Sequence, residues 1–297
     1  MGSSPLVDRP VDQAAGPLRH ATLLVSDVHA MQGAYAALGL VVCERSTISA
    51  ARAKAWGHAS LAGRSLLGLG TAADGPSLLR LIKRPGAAIR PTRYSHGWLA
   101  LEILVRDVDA LAQQLTGSSF EIVGAPADLD VSPHIRAMQV IGPAGEMPYL
   151  TQVKAPVPPF EVPLSSQLQA PAQIGPLFIA VLSTPSRAAS LQACAALAPK
   201  AQLQFDTKVT VLNRALGRPV DARWPVATVQ WAGESLFEID EVVDDRVRPA
   251  AAPGELPSGL AWIAMDAPNN SAAPEKLQEL SPGAWIELLP SPRSARS

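Results

Sequence analysis

The chain repeats itself. Leu18 to Leu40 reads as a strand, a turn and an amphipathic helix, and Trp98 to Leu115 reads the same way about eighty residues later. Superposing Asp27-Val28 on Asp107-Val108 sets His20 on Ala100 and Thr22 on Glu102. Such a repeat constrains the fold more than composition does, because each copy is a supersecondary unit that needs a neighbour to bury its apolar face. In the first copy His20, Thr22 and Leu24 alternate onto one face of the strand. Asp27 stands where a helix N-cap is wanted, ahead of a helix over Val28 to Leu38.

A strand with an early histidine, then an Asp-Val-x-Ala turn into a helix, resembles the opening of a vicinal oxygen chelate module. That superfamily includes glyoxalase I, bleomycin-resistance proteins, extradiol dioxygenases and methylmalonyl-CoA epimerase. Two further stretches, Gly142-Pro143-Ala144-Gly145-Glu146-Met147-Pro148-Tyr149-Leu150 and Ser281-Pro282-Gly283-Ala284-Trp285-Ile286-Glu287-Leu288, resemble its module-closing signature. The resemblance implies an α+β chain of tandem βαβββ modules paired into two open β-cups.

The rest of the sequence divides accordingly. Residues 1–16 lack an apolar run after a basic start, so they read as a flexible tail and not as a signal peptide. Residues 17–153 hold modules one and two, expected to pair as the first, active cup. Within them Ala50 to Gly57 is expected as a loop or short turn, and Ala125 to Pro133 as a Pro/Asp-rich loop rimming the site. Residues 154–174 are a proline-rich linker expected to cross to the next cup. Residues 175–290 hold a second, degenerate pair, with a strand over Leu203 to Leu212, a hairpin around Ala232-Gly233-Glu234 and a short helix over Ala273 to Leu280. Residues 291–297 are a loose tail.

Composition narrows the partners. The net charge is −1 with mixed signs and aromatics are only 5%, which argues against a nucleic-acid partner. No run of about eighteen apolar residues suggests a membrane span. Cys43 and Cys194 sit in apolar runs far apart, as buried free thiols of a reducing, cytoplasmic compartment. The expected partner is a small-molecule substrate, and a homodimer stays open. Phosphate-loop, dinucleotide, serine-hydrolase and HExxH motifs are absent.

The resemblance also implies a site. Metal-using relatives place ligands on the first and last strand of each of two paired modules. Here those positions fall on His20, Arg80, Ala100 (with Glu102 one period along) and Tyr149. The register is supported internally, since Gly75 to Arg80 has the spacing of Gly233 to Glu238, and Gly145 to Tyr149 that of Gly283 to Glu287. A guanidinium cannot ligate a cation and stays protonated. The favoured reading is therefore without a cofactor: His20, Glu102 and Tyr149 as catalytic acid–base and oxyanion-stabilising groups, with Arg80 as anion anchor. His134 and Arg136 are further substrate-binding candidates at the rim. The alternative is one divalent transition metal (Fe, Mn, Zn or Ni) held by His20, Glu102 and Tyr149. A structural ion pair of Arg80 with Glu102, with His20 satisfied by a backbone carbonyl, competes with both.

The leading function is a glyoxalase-like small-molecule enzyme, of lyase or isomerase type, acting on an oxygenated, anionic or aromatic-like compound. A metal-dependent extradiol dioxygenase or glyoxalase-type lyase is one alternative. A non-catalytic binding or resistance protein is the other. The second cup, with Glu238, Glu287, Trp224 and Trp262, is expected to be structural.

Overall fold

The computed structural model describes residues 14–130, 132–268 and 276–290. Module one comprises β1 (Leu18–Val25), α1 (Val28–Ala36), β2 (Val41–Thr47), α2 (Ala50–Ala55), β3 (Ser65–Gly70) and β4 (Leu79–Lys83). Module two comprises β5 (Ser95–Val105), α3 (Val108–Gln114), β6 (Glu121–Leu129), β7 (Ser132–Ile141) and β8 (Pro148–Val153). Module three comprises β9 (Ile174–Thr184), α4 (Arg187–Ala195), β10 (Ala201–Lys208), α5 (Thr210–Ala215), β11 (Arg223–Gln230) and β12 (Leu236–Glu241). After the two-residue β13 (Arg248–Pro249), module four has β14 (Gly259–Asp266), β15 (Lys276–Ser281) and β16 (Ala284–Leu289).

The repeated Asp-Val turn is a pair of matching caps. Asp27 accepts from the backbone N–H groups of His29 and Ala30 at 2.9 and 3.0 Å. Asp107 does the same for Asp109 and Ala110, both at 3.0 Å. Each cap satisfies donors that the first helical turn leaves orphaned, which fixes where strand gives way to helix.

Two curled sheets result, with strand orders β15-β16-β14-β1-β4-β3-β2 and β10-β11-β12-β9-β5-β8-β7-β6, β13 pairing with β5. The two cups exist, but the expected pairing of modules is corrected. β1 runs antiparallel to β14, and β5 antiparallel to β9. Module one thus pairs with module four, and module two with module three, so each cup takes one module from each half of the chain. One continuous core packs the sheets back to back, joining Leu23 and Val25 of β1, Leu101 and Ile103 of β5, Tyr35, Trp98 and Phe237. The Trp98 indole donates to the Trp285 carbonyl at 2.7 Å across the two sheets. The opposite faces of the sheets form the cups.

Five local expectations also change. Ala50–Ala55 is the helix α2, capped by the Ser49 hydroxyl, where a loop or short turn was expected. Residues 125–133 are not a loop: β6 and β7 carry a long, bulged hairpin through most of them. The expected strand over Leu203 to Leu212 ends at Lys208, and α5 follows. Lys276–Ser281 is a strand paired with β16 where a helix was expected, while Ala273 to Glu275 lie outside the described residues, as do most of the N-terminal tail and residues 291–297. The linker does not cross between cups. It folds back on the larger one, where the Ser165 hydroxyl donates to the Val105 carbonyl at 2.6 Å and accepts from the Val153 N–H at 2.9 Å. No helix among the described residues is long and apolar enough to cross a membrane.

Candidate functional site

The pairing of modules divides the expected site between two cups. His20 and Arg80 belong to the smaller sheet, Glu102 and Tyr149 to the larger. The proposed single set of His20, Glu102, Tyr149 and Arg80 is therefore not one site, either as acid–base groups or as metal ligands. Arg80 meets Glu44, not Glu102.

The smaller cup is filled. α2 and the chain after it fold into its mouth, so Trp56, Trp262 and Trp285 pack with Leu24, Ile48 and Ile82. Glu287, fully buried on β16, accepts from the Trp56 and Trp262 indoles at 2.9 and 3.1 Å and from Arg52 at 3.4 Å. His20 Nε2 lies 3.5 Å from Glu287 and 3.2 Å from an Arg80 guanidinium nitrogen. Arg80 is held in turn by Glu44 at 3.0 Å. Burial above all lowers the His20 pKa, against the raising contact with Glu287. Burial pushes Glu287 the other way, but the His20 contact and the charges of Arg52 and Arg80 outweigh it and hold that carboxyl at about 2.

The larger cup is open. A cavity of about 450 Å³ lies on its concave face, within the range of small-molecule sites. β5 and β8 place Glu102 beside Tyr149 in register, and both line the cavity. The Thr151 hydroxyl donates to Glu102 at 3.0 Å. Opposite them β11 and β12 place Thr228 beside Glu238 in register, and both also line it. Phe178 and Ile179 of β9, Phe205 of β10 and Val157, Phe160 and Val162 of the folded-back linker supply apolar wall. On β7, Ile135, Ala137 and Gln139 face the cavity. His134 and Arg136 alternate with them and take no part in the lining, which corrects their assignment to the rim. Arg136 is instead clamped by Asp109 through two 2.8 Å hydrogen bonds.

Three acids gather on this concave side. Burial, then the negative charge of Glu238, push Glu102 up to about 8 against the Thr151 hydrogen bond. Burial pushes Glu238 up to about 7. Asp240, two residues along β12 on the same face, is fully buried and raised well above the carboxylate range by burial and by Glu238 and Glu102. Neither Asp240 oxygen has a donor when both acids are ionised. Only a proton shared with Glu238 satisfies it, which ties the geometry to the raised values. Tyr149 is raised by burial and by the same three acids, and remains a donor. The sequence offered a signal for Glu238 and Asp240, two acids alternating with the apolar Phe237 and Ile239. The mistaken module partner hid that they face Glu102.

Neither cup fits the metal that the fold family implies. In the smaller, Glu287 is already met by N–H donors and a guanidinium stands against His20. In the larger, β9 offers apolar side chains and β8 a tyrosine, with no imidazole. Among the described residues no group of three or more His, Cys, Asp or Glu side chains is arranged to hold an ion.

No family model matches the sequence, and no curated protein matches it. Solved structures do resemble the fold. Glyoxalase I from Zea mays superposes with a TM-score of 0.56 at 15% identity, covering 92% of each chain. A single-residue mutant of that maize enzyme gives 0.54 at 14% identity, covering 91% of this chain and 92% of that one. A presumed dioxygenase from Bacillus subtilis gives 0.55 at 12% identity, over 88% of this chain and 73% of that one. With the tandem modules and two curled sheets, these likenesses define the class: the chain has the vicinal oxygen chelate fold of glyoxalase-like proteins.

Proposed function

We propose that the chain is a glyoxalase-like small-molecule enzyme of the isomerase or lyase type whose working site is the larger cup, with Glu102 as a metal-independent general acid–base. The observation that carries this reading is Glu102 itself, buried in a mostly apolar cavity beside Tyr149 and Thr151, with its pKa lifted to about 8. A carboxyl poised near neutral pH exchanges protons at little cost in either direction. As a carboxylate it removes the proton from carbon beside a substrate carbonyl. The Tyr149 hydroxyl donates to the enolate oxygen that forms. With a 2-hydroxy carbonyl substrate this is an enediolate: its hydroxyl proton passes to the neighbouring oxygen, and the Glu102 carboxyl returns its proton to the former carbonyl carbon, so hydroxyl and carbonyl change places without a further reactant. The anchor expected for an anionic substrate, Arg80, lies in the other cup, so the substrate favoured here is oxygenated and apolar-bodied without a required anionic group.

The test is solvent exchange. The chain is incubated in D2O with a panel of 2-oxo and 2-hydroxy carbonyl compounds, and label beside the carbonyl is read by NMR. Exchange that survives a chelator and disappears in Glu102→Gln supports the reading. Exchange abolished by the chelator and restored by a divalent metal overturns it, and a ligand bound without exchange marks a binding protein instead.

A further inference from the structure

The floor of the larger cavity has more hydrogen-bond acceptors than donors. Glu102, Glu238 and Asp240 gather there, and the Thr151 hydroxyl is spent on Glu102. No lysine, arginine or histidine stands among the groups acting on the three acids. The charged groups at the mouth are engaged elsewhere: Lys208 pairs with Asp130, Asp128 with Arg136 and Lys154, and Arg214 donates to the Val123 carbonyl at 3.1 Å. Thr228, beside Glu238 in register, lines the cavity at 7% exposure and its buried hydroxyl has no partner. Asp240 lies behind Glu238 and meets it through a shared proton, so Glu238 is the acid left facing the cavity.

A ligand filling this space must therefore bring donors, and positive charge is the form that best replaces water around paired acids. Taking the larger cup as the working site, we infer that its Glu238–Asp240–Thr228 side seats the primary ammonium group of an apolar-bodied organic amine. The ammonium donates to the Glu238 carboxylate and to the Thr228 hydroxyl, protonated Asp240 donates to Glu238 from behind, and the amine's body lies against Phe178, Ile179 and Phe205. An anion brings no donor to the Glu238 and Thr228 side. A neutral alcohol brings one donor where an ammonium brings three.

Calorimetric titration of the full chain tests this with 2-phenylethylamine, 2-phenylethanol and phenylacetate as probes of one shape and three charges. The amine is expected to bind at least tenfold more tightly than the alcohol and to release close to one proton, read from two buffers of different ionisation enthalpy at pH 6.5. Its affinity then rises about tenfold per pH unit between pH 5 and 6.5. Glu238→Gln and Thr228→Val, checked for unchanged melting cooperativity, each weaken the amine at least fivefold and leave the alcohol unaffected. Equal binding of amine and alcohol, or amine binding without proton release, overturns the inference. If carbonyl exchange by Glu102 persists in that case, only the ammonium seat fails. If no probe binds and no exchange occurs, the reading of the cup as the working site fails with it.

Discussion

Glu102→Gln is expected to stabilise the protein while abolishing its chemistry, and by an amount that depends on pH. In the folded chain Glu102 is pushed from an ordinary 4.5 up to about 8. Between those values the native state holds a proton that the unfolded chain has released, so unfolding releases a proton and stability falls as pH rises. The native carboxyl's contribution is fully present below pH 4.5 and is lost progressively as pH rises to about 8. At pH 7 the folded group is still protonated about 2.5 pH units above its ordinary value, and at about 1.4 kcal/mol per unit the cost is about 3 kcal/mol. Glutamine has the shape of the protonated acid, its side-chain oxygen can still accept from Thr151, and it carries no charge to lose. Urea denaturation at pH 4 and pH 7 provides the assay, with the slope unchanged so that the midpoints report stability. The variant should match the parent at pH 4 and exceed it by up to about 3 kcal/mol at pH 7. A loss of stability at pH 7, or a gain of the same size at both pH values, would refute the argument that burial and like charge strain this group. A confirmed gain marks Glu102 as a residue kept at a cost in stability, as functional groups often are.

Three other outcomes follow from the same geometry. Glu287→Gln leaves the indole N–H groups of Trp56 and Trp262 competing for one oxygen and removes the charge facing Arg52 and His20, so urea unfolding at pH 7 should show a loss of about 3–5 kcal/mol. Because that carboxyl is held at about 2, its contribution is present above its ordinary 4.5 and disappears as pH falls through about 2, which a pH series of the parent chain checks. Tyr149→Phe should slow carbonyl exchange about 100-fold with little change in the unfolding midpoint, as loss of one oxyanion donor does. Arg136→Ala removes the clamp on Asp109 and one of two cations on Asp128, which keeps Lys154 at 2.8 Å, so exchange and ligand affinity should be unchanged.

The parts of this fold that were legible in the sequence are the local ones. The Asp27 and Asp107 caps, the strand before and the helix after each, and the spacing from glycine to the last-strand position depend on residues within a few positions of each other, and they recur because the repeat recurs. Glu102 and Tyr149 were placed on one face by the same local reasoning, and β5 and β8 do set them side by side. The choice of partner module was not legible, because it depends on contacts between strands far apart in the sequence. Module two adjoins both module one and module three, so chain closure favours neither pairing, loop entropy changing only slowly with length. What separates the outcomes is tertiary fit. β5 and β9 are both eleven residues long, and β1 and β14 both eight, so each cup joins strands of equal length. The tryptophans complete the choice. Trp262 of module four and Trp56 after α2 both donate to Glu287, and their rings meet at 5.3 Å inside the cup that His20 shares. Had module one paired with module two, β5 would have offered Ala100 and Glu102 to that space, leaving His20 and Arg80 to face an acid without those indoles. The pairing that fills one cup with tryptophan leaves the other hollow and lined with acids, and the proposed site follows that division.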